Sequence, residues 1–142
     1  PRDWSSDVCS SDLYRAQDAA GRHVAAWLQG RPEVARLLHP AFEGAPGHEH
    51  WQRHCALAAG LFSVLIDERY TAQQVDRFVD ALQCFKLGYS WAGPCSLVVP
   101  YDLGLLRPNG PYRGHLVRFS IGLEEPEALC ADLAQALDAA FG

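Results

Sequence analysis

The chain has 142 residues, 49% of them hydrophobic, with 12 basic and 17 acidic side chains and a net charge of −5. That length and apolar content suffice for one domain with a real core, and the mildly acidic balance without a basic stretch argues against a nucleic-acid partner. No apolar run approaches the length needed to span a membrane.

Pro1 to Leu13 stands apart. Asp3 to Leu13 looks like the translation of a common sequencing-adapter oligonucleotide in one reading frame. It has neither helical periodicity nor the apolar centre of a signal peptide. Residues 1–13 are therefore set aside as an artefact and expected to be disordered, and residues 14–142 are read as the domain, part of a longer polypeptide. Arg2 against Asp3, Asp7 and Asp12 takes −2 of the charge with it, leaving −3.

From Tyr14 to Leu28, Ala20, Val24, Trp27 and Leu28 fall at helical spacing, and Gly30 with Pro32 ends the helix. Val34 to Leu38 is a short apolar run that predicts a strand, closed by His39-Pro40. A Pro- and Gly-rich loop follows, then a helical turn over His48 to His54. Gly60 to Ile66 is the clearest strand, bounded by Gly60 and Asp67-Glu68-Arg69. Thr71 and Gln74 fit a capping box, and Val75, Phe78, Val79 and Leu82 give the next helix one apolar face. Phe85 to Tyr89 predicts a short strand, and Tyr101 to Arg113 reads as irregular. Leu116 to Ile121 predicts another strand. Glu124-Glu125-Pro126-Glu127 marks a helix start in which the acidic residues complement the helix dipole, with Leu129, Leu133, Ala136, Leu137 and Phe141 as its buried stripe. The order predicts an α/β (α+β) fold: a small, mostly antiparallel sheet with helices packed on one face.

Few residues suggest chemistry by themselves. His39, His48, His50 and His54 lie close together, and His50 and His54 could share a helix face. Trp51 stands where a metalloprotease helix needs glutamate, so these are read as surface or packing residues and no metal is expected. Cys55, Cys84, Cys95 and Cys130 form no CxxC pair and are read as reduced thiols of a cytoplasmic protein, most of them in apolar surroundings. Gly88-Tyr89-Ser90-Trp91-Ala92 lacks the second glycine of a hydrolase elbow. Lys86 is the only lysine, and the alternation around it places it toward solvent. Arg118 sits between Val117 and Phe119 in a run suited to burial. An unpaired charge there is costly, so spacing alone leaves open a pairing with a carboxylate of this chain or a place on an edge strand.

Taken in order, Trp27-Leu28, Arg31-Pro32-Glu33-Val34, Leu38-His39-Pro40-Ala41, Pro46-Gly47-His48-Glu49, Gly60-Leu61-Phe62-Ser63, Gly88-Tyr89-Ser90-Trp91 and Leu116-Val117-Arg118 through Ile121-Gly122-Leu123-Glu124 resemble the C-terminal domain of the cystathionine β-lyases. These belong to the Cys/Met-metabolism family of pyridoxal-phosphate enzymes, fold type I. The resemblance runs from about Trp27 to Leu137. It implies that Arg118 grips the α-carboxylate of a substrate such as cystathionine, a task suited to a planar guanidinium fork. It also implies that Ser90 and Trp91 position that carboxylate, and that Tyr89, where γ-acting relatives commonly carry glutamate, favours β-elimination. The implied reaction is C–S cleavage giving homocysteine, pyruvate and ammonia, one step before methionine. The Schiff-base lysine, the aspartate under the pyridine nitrogen and the phosphate-binding residues are expected in a larger upstream domain. No catalytic or cofactor-binding residue is therefore assigned here, the isolated chain is expected to be inert, and the full-length protein a homotetramer. Ala92 and Cys95 depart from the usual glycine and glutamate. Ala92 places a methyl where the backbone could need positive φ. Two other readings stay open: a γ-lyase or γ-synthase of the same family, and a free-standing non-catalytic α+β binding module.

Overall fold

A computed structural model describes residues 5–142, with side chains from Ser11 onward. Helix α1 runs from Ser5 to Gln29, and β1 from Val34 to Leu38. A short helix α2 (His48–His54) precedes β2 (Leu61–Ile66) and α3 (Ala72–Ala81). Then come β3 (Lys86–Leu87), β4 (Leu97–Asp102), a single turn α4 (Leu103–Leu106), β5 (His115–Ser120) and α5 (Pro126–Phe141).

The five strands form one sheet in the order β1-β2-β5-β4-β3. Three of the four pairings are antiparallel, and β3 joins β4 in parallel. The expected fold class is the observed one. In β5, Val117 and Phe119 face one way and Arg118 the other, as period-two alternation requires. Phe119 lies between Phe62 and Val98, and Val117 between Val64 and Pro100. This inner face meets Val24, Val75, Phe78, Leu129, Leu133 and Leu137 from α1, α3 and α5. Phe119 is the hub, 5.6 Å from the Phe62 ring and 5.5 Å from that of Phe85.

The capping box at Thr71 and Gln74 forms as read, with each side chain accepting from the other residue's backbone N–H. Three features differ from expectation. Helix α1 reaches back to Ser5 rather than starting at Tyr14; residues 1–4 lie outside the described part. Extending a helix already nucleated by the packed Ala20–Leu28 turns costs little per added residue. Strand β4 has no counterpart among the expected elements: Pro100 interrupts it, leaving Leu97 to Val99 as a short apolar run. Pro100 is tolerated because β3 pairs with Leu97 and Val98 and stops there. Finally, Asp102 caps α4 by accepting from the Gly104 and Leu105 N–H groups, in a stretch read as irregular.

Candidate substrate-anion site

The alternation that buries Val117 and Phe119 puts Arg118 on the sheet face away from α1, α3 and α5. Arg118 sits between Ser63 of β2 and Val99 of β4, in the middle of the sheet. That answers one question left open by spacing: it is not on an edge strand. Nor, among the described residues, does any carboxylate form an ion pair with it. Its Nη2 donates to the carbonyl oxygens of Tyr89 at 2.8 Å, Gly88 at 3.4 Å and Ser90 at 3.5 Å. Its Nε–H is buried and has no acceptor among the described residues. A cation held only by carbonyl dipoles, with a donor unmet, suits a carboxylate that would bring both charge and acceptors.

The structure brings Arg118 together with the main chain at Tyr89 and Ser90. The side chains of these neighbours point less directly at it. Tyr89 is 73% exposed and packs edge-to-face on Tyr101 at 6.4 Å. Ser90 is exposed. Trp91 is 60% exposed and lines a cleft of about 400 Å³ with Tyr14, Gln17, Leu61 and Ser120, a cleft that does not include Arg118. Ala92, where sequence suggested a demand for positive φ, has φ 60°.

The loop carrying these residues is fixed by side chains that sequence reasoning missed. Gln17 Nε2 donates to the Gly93 carbonyl at 2.8 Å. Asp132, from the middle of α5, accepts from the Gln83 and Cys84 N–H groups ahead of β3. Glu124 accepts from both the N–H and the hydroxyl of Ser96. The last is a correction: Glu124 was read as complementing the α5 dipole, but its carboxylate is engaged by Ser96 while Glu125 occupies the N-cap position without a side-chain bond. None of these contacts leaves a periodic trace in the sequence, since they join residues 28 to 76 positions apart.

The remaining singled-out residues lie elsewhere. Lys86 is exposed on the two-residue β3. His39 is fully buried, its Nδ1 accepting from the Ala41 N–H at 3.2 Å and its Nε2 without a partner among the described residues. Burial and the nearby Arg22 charge push its imidazole down to about 4. His48 stacks on Trp51, while His50 and His54 are exposed. The described cysteines are free thiols, but Cys55 and Cys95 are exposed rather than in apolar surroundings. Burial raises the thiol pKa values of Cys84 and Cys130. No described helix is long and apolar enough to cross a membrane.

Residues 13–138 match the family of Cys/Met metabolism PLP-dependent enzymes. The chain therefore belongs to that family. It is 46% identical over 120 residues to the cystathionine beta-lyase of Bordetella avium, covering 82% of this chain and 30% of that protein. It is 38% identical over 125 residues to the cystathionine beta-lyase of Salmonella typhimurium, covering 84% of this chain and 32% of that protein. The fold resembles the crystal structure of an O-acetylhomoserine (thiol)-lyase from Campylobacter jejuni, with a TM-score of 0.75 and 22% identity, over 90% of this chain and 29% of that one. The chain thus spans about a third of the curated relatives it matches.

Proposed function

We propose that this chain supplies the carboxylate-binding side of a carbon–sulfur lyase that cleaves cystathionine by β-elimination, giving homocysteine, pyruvate and ammonia. The observation that carries the reading is Arg118: a guanidinium at the centre of the sheet, met by three carbonyls, without a carboxylate partner among the described residues and with an unmet Nε–H. The α-carboxylate of an amino-acid substrate is the anion it would hold. Ser90, Trp91 and Tyr89 would border the same substrate from the loop whose main chain Arg118 touches. Identity of 38–46% to cystathionine beta-lyases supports the substrate class.

The residues described here do not by themselves fit pyridoxal phosphate. The family's cofactor needs a lysine, and the only one present, Lys86, is exposed at the sheet edge. When bound, the cofactor supplies the electron sink for such eliminations; in this reading residues of a larger domain hold it, and this chain alone is inert. Residues 14–142 are then the C-terminal domain of a cytoplasmic, homotetrameric enzyme serving methionine biosynthesis, and Pro1 to Leu13 is foreign sequence. The exposed Tyr89 and Leu106, with the half-buried Tyr101 between them, support a further domain seated on the outer face.

The test is a chimaera in which residues 13–138 replace the matching third of the Bordetella avium relative. Pyruvate is expected from L-cystathionine, and Arg118→Ala should lower kcat/KM by about 2–4 kcal/mol, or roughly 30- to 1,000-fold. An unchanged kcat/KM would remove Arg118 from the site. Release of α-ketobutyrate without pyruvate would make the protein a γ-lyase instead.

A further inference from the structure

We propose that Glu124 is a positioning residue for the Arg118 anion site, acting through Ser96 on the loop that Arg118 contacts. The proposal rests on the reading of Arg118 as the carboxylate-binding group. The Glu124 carboxylate accepts from the Ser96 N–H at 2.8 Å through Oε1 and from the Ser96 hydroxyl at 2.7 Å through Oε2. Ser96 Oγ in turn accepts from the Gly122 N–H at 2.9 Å. Beside it, the Leu123 N–H donates to the Pro94 carbonyl at 2.8 Å. Ser96 is 0% exposed, so water does not compete for these bonds. The segments approach so closely that a Cβ at Gly122 would overlap the Pro94 carbonyl oxygen and lie 2.6 Å from the Cys95 carbonyl carbon.

The clasp sits where one strand can control both halves of the site. Arg118 is in β5, and Glu124 follows the end of β5 by four residues. Ser96 closes the loop whose carbonyls at 88, 89 and 90 receive the guanidinium. The same strand therefore carries the cation and, just beyond its end, the carboxylate that fixes the loop against it. Glu124 is free for this because it forms no cap on α5. Without it, Ser96 loses both its acceptors, the loop end shifts, and the carbonyls no longer hold Arg118 in one orientation.

The test titrates the intact chain with sodium acetate at constant ionic strength, with sodium chloride as control, following the Arg118 Nε–H signal by NMR. Arg118→Lys identifies the signal by its loss. Acetate should shift it in a saturable way and chloride should not. Glu124→Ala should weaken acetate binding about tenfold, the loss expected from charge-assisted hydrogen bonds. Glu124→Gln, which retains an acceptor for the Ser96 N–H, should restore binding to within about threefold; a role confined to stability would not produce this order of affinities. Native affinity in a folded Glu124→Ala chain would overturn the proposal and leave Arg118 as the anion group. No acetate response in the native chain would overturn the Arg118 reading and this proposal with it. If Glu124→Ala does not fold, Ser96→Ala decides: weaker acetate binding is expected, and native affinity would overturn the clasp.

Discussion

Replacing Asp132 by alanine should loosen the segment that leads into β3 and the Arg118 loop. Asp132 is only 7% exposed. Its Oδ2 accepts from the Cys84 N–H at 2.7 Å, both oxygens share the Gln83 N–H at 3.0 Å, and Gln135 Nε2 donates to Oδ1 at 3.0 Å. The Cys84 bond is short and charge-assisted, worth about 1.5–3 kcal/mol net. Gln83 is exposed, so its N–H can turn to water and its shared bond adds about 1 kcal/mol or less. Gln135 keeps a second acceptor, the Ala81 carbonyl at 2.8 Å, and adds little. The expected loss is about 2–4 kcal/mol, with Asp132→Asn losing about half because one carbonyl oxygen remains. Urea unfolding at pH 7, followed by far-UV circular dichroism, should show the Asp132→Ala midpoint lowered by about 1–2 M with an unchanged slope. A loss below about 1 kcal/mol would refute the reasoning, because it would mean that water replaces the carboxylate at both amides.

Two further substitutions test buried chemistry and backbone strain. His39 takes up a proton near 6.5 when unfolded but only near 4 when folded, so the unfolded state binds more protons between those values. The stabilisation is complete above pH 6.5 and is lost as pH falls toward 4, by about 3 kcal/mol in all. His39→Asn keeps an acceptor for the Ala41 N–H and should reduce the stability lost between pH 7 and pH 4.5 by about 2 kcal/mol; equal losses in both proteins would remove His39 from the acid response. Ala92→Gly should raise stability by about 0.5–1 kcal/mol, because φ 60° costs alanine more than glycine's extra unfolded freedom takes back. A lower thermal midpoint for Ala92→Gly would contradict that balance.

Much of this fold could be read from local pattern because the pattern is local in origin. Val34 to Leu38 is a strand end to end, and Thr71 with Gln74 makes its reciprocal cap. Alternation alone separates Arg118 from Val117 and Phe119. Strand β4 escaped because its legitimacy depends on a distant fact, the early end of β3, which excuses Pro100. The Asp102 signal for α4 was present but lay inside a stretch dominated by proline and glycine. At the site, Arg118 was legible as a buried cation in need of partners. That those partners would be the carbonyls of residues 88–90, and that Gln17, Glu124 and Asp132 would hold their loop, depends on side chains meeting backbone across the fold. Hydrophobic periodicity carries no record of such contacts.

The two margins of the sheet share a property that matters for any open sheet. On one side β3 pairs for only two residues and carries Lys86; past it, Pro100 removes a backbone donor from β4. On the other side, β1 is irregular between Val34 and Arg36 and bears an exposed arginine. Short, charged, kinked or proline-bearing margins are poor templates for another chain's strand. Association of this protein through sheet extension is therefore disfavoured at both ends.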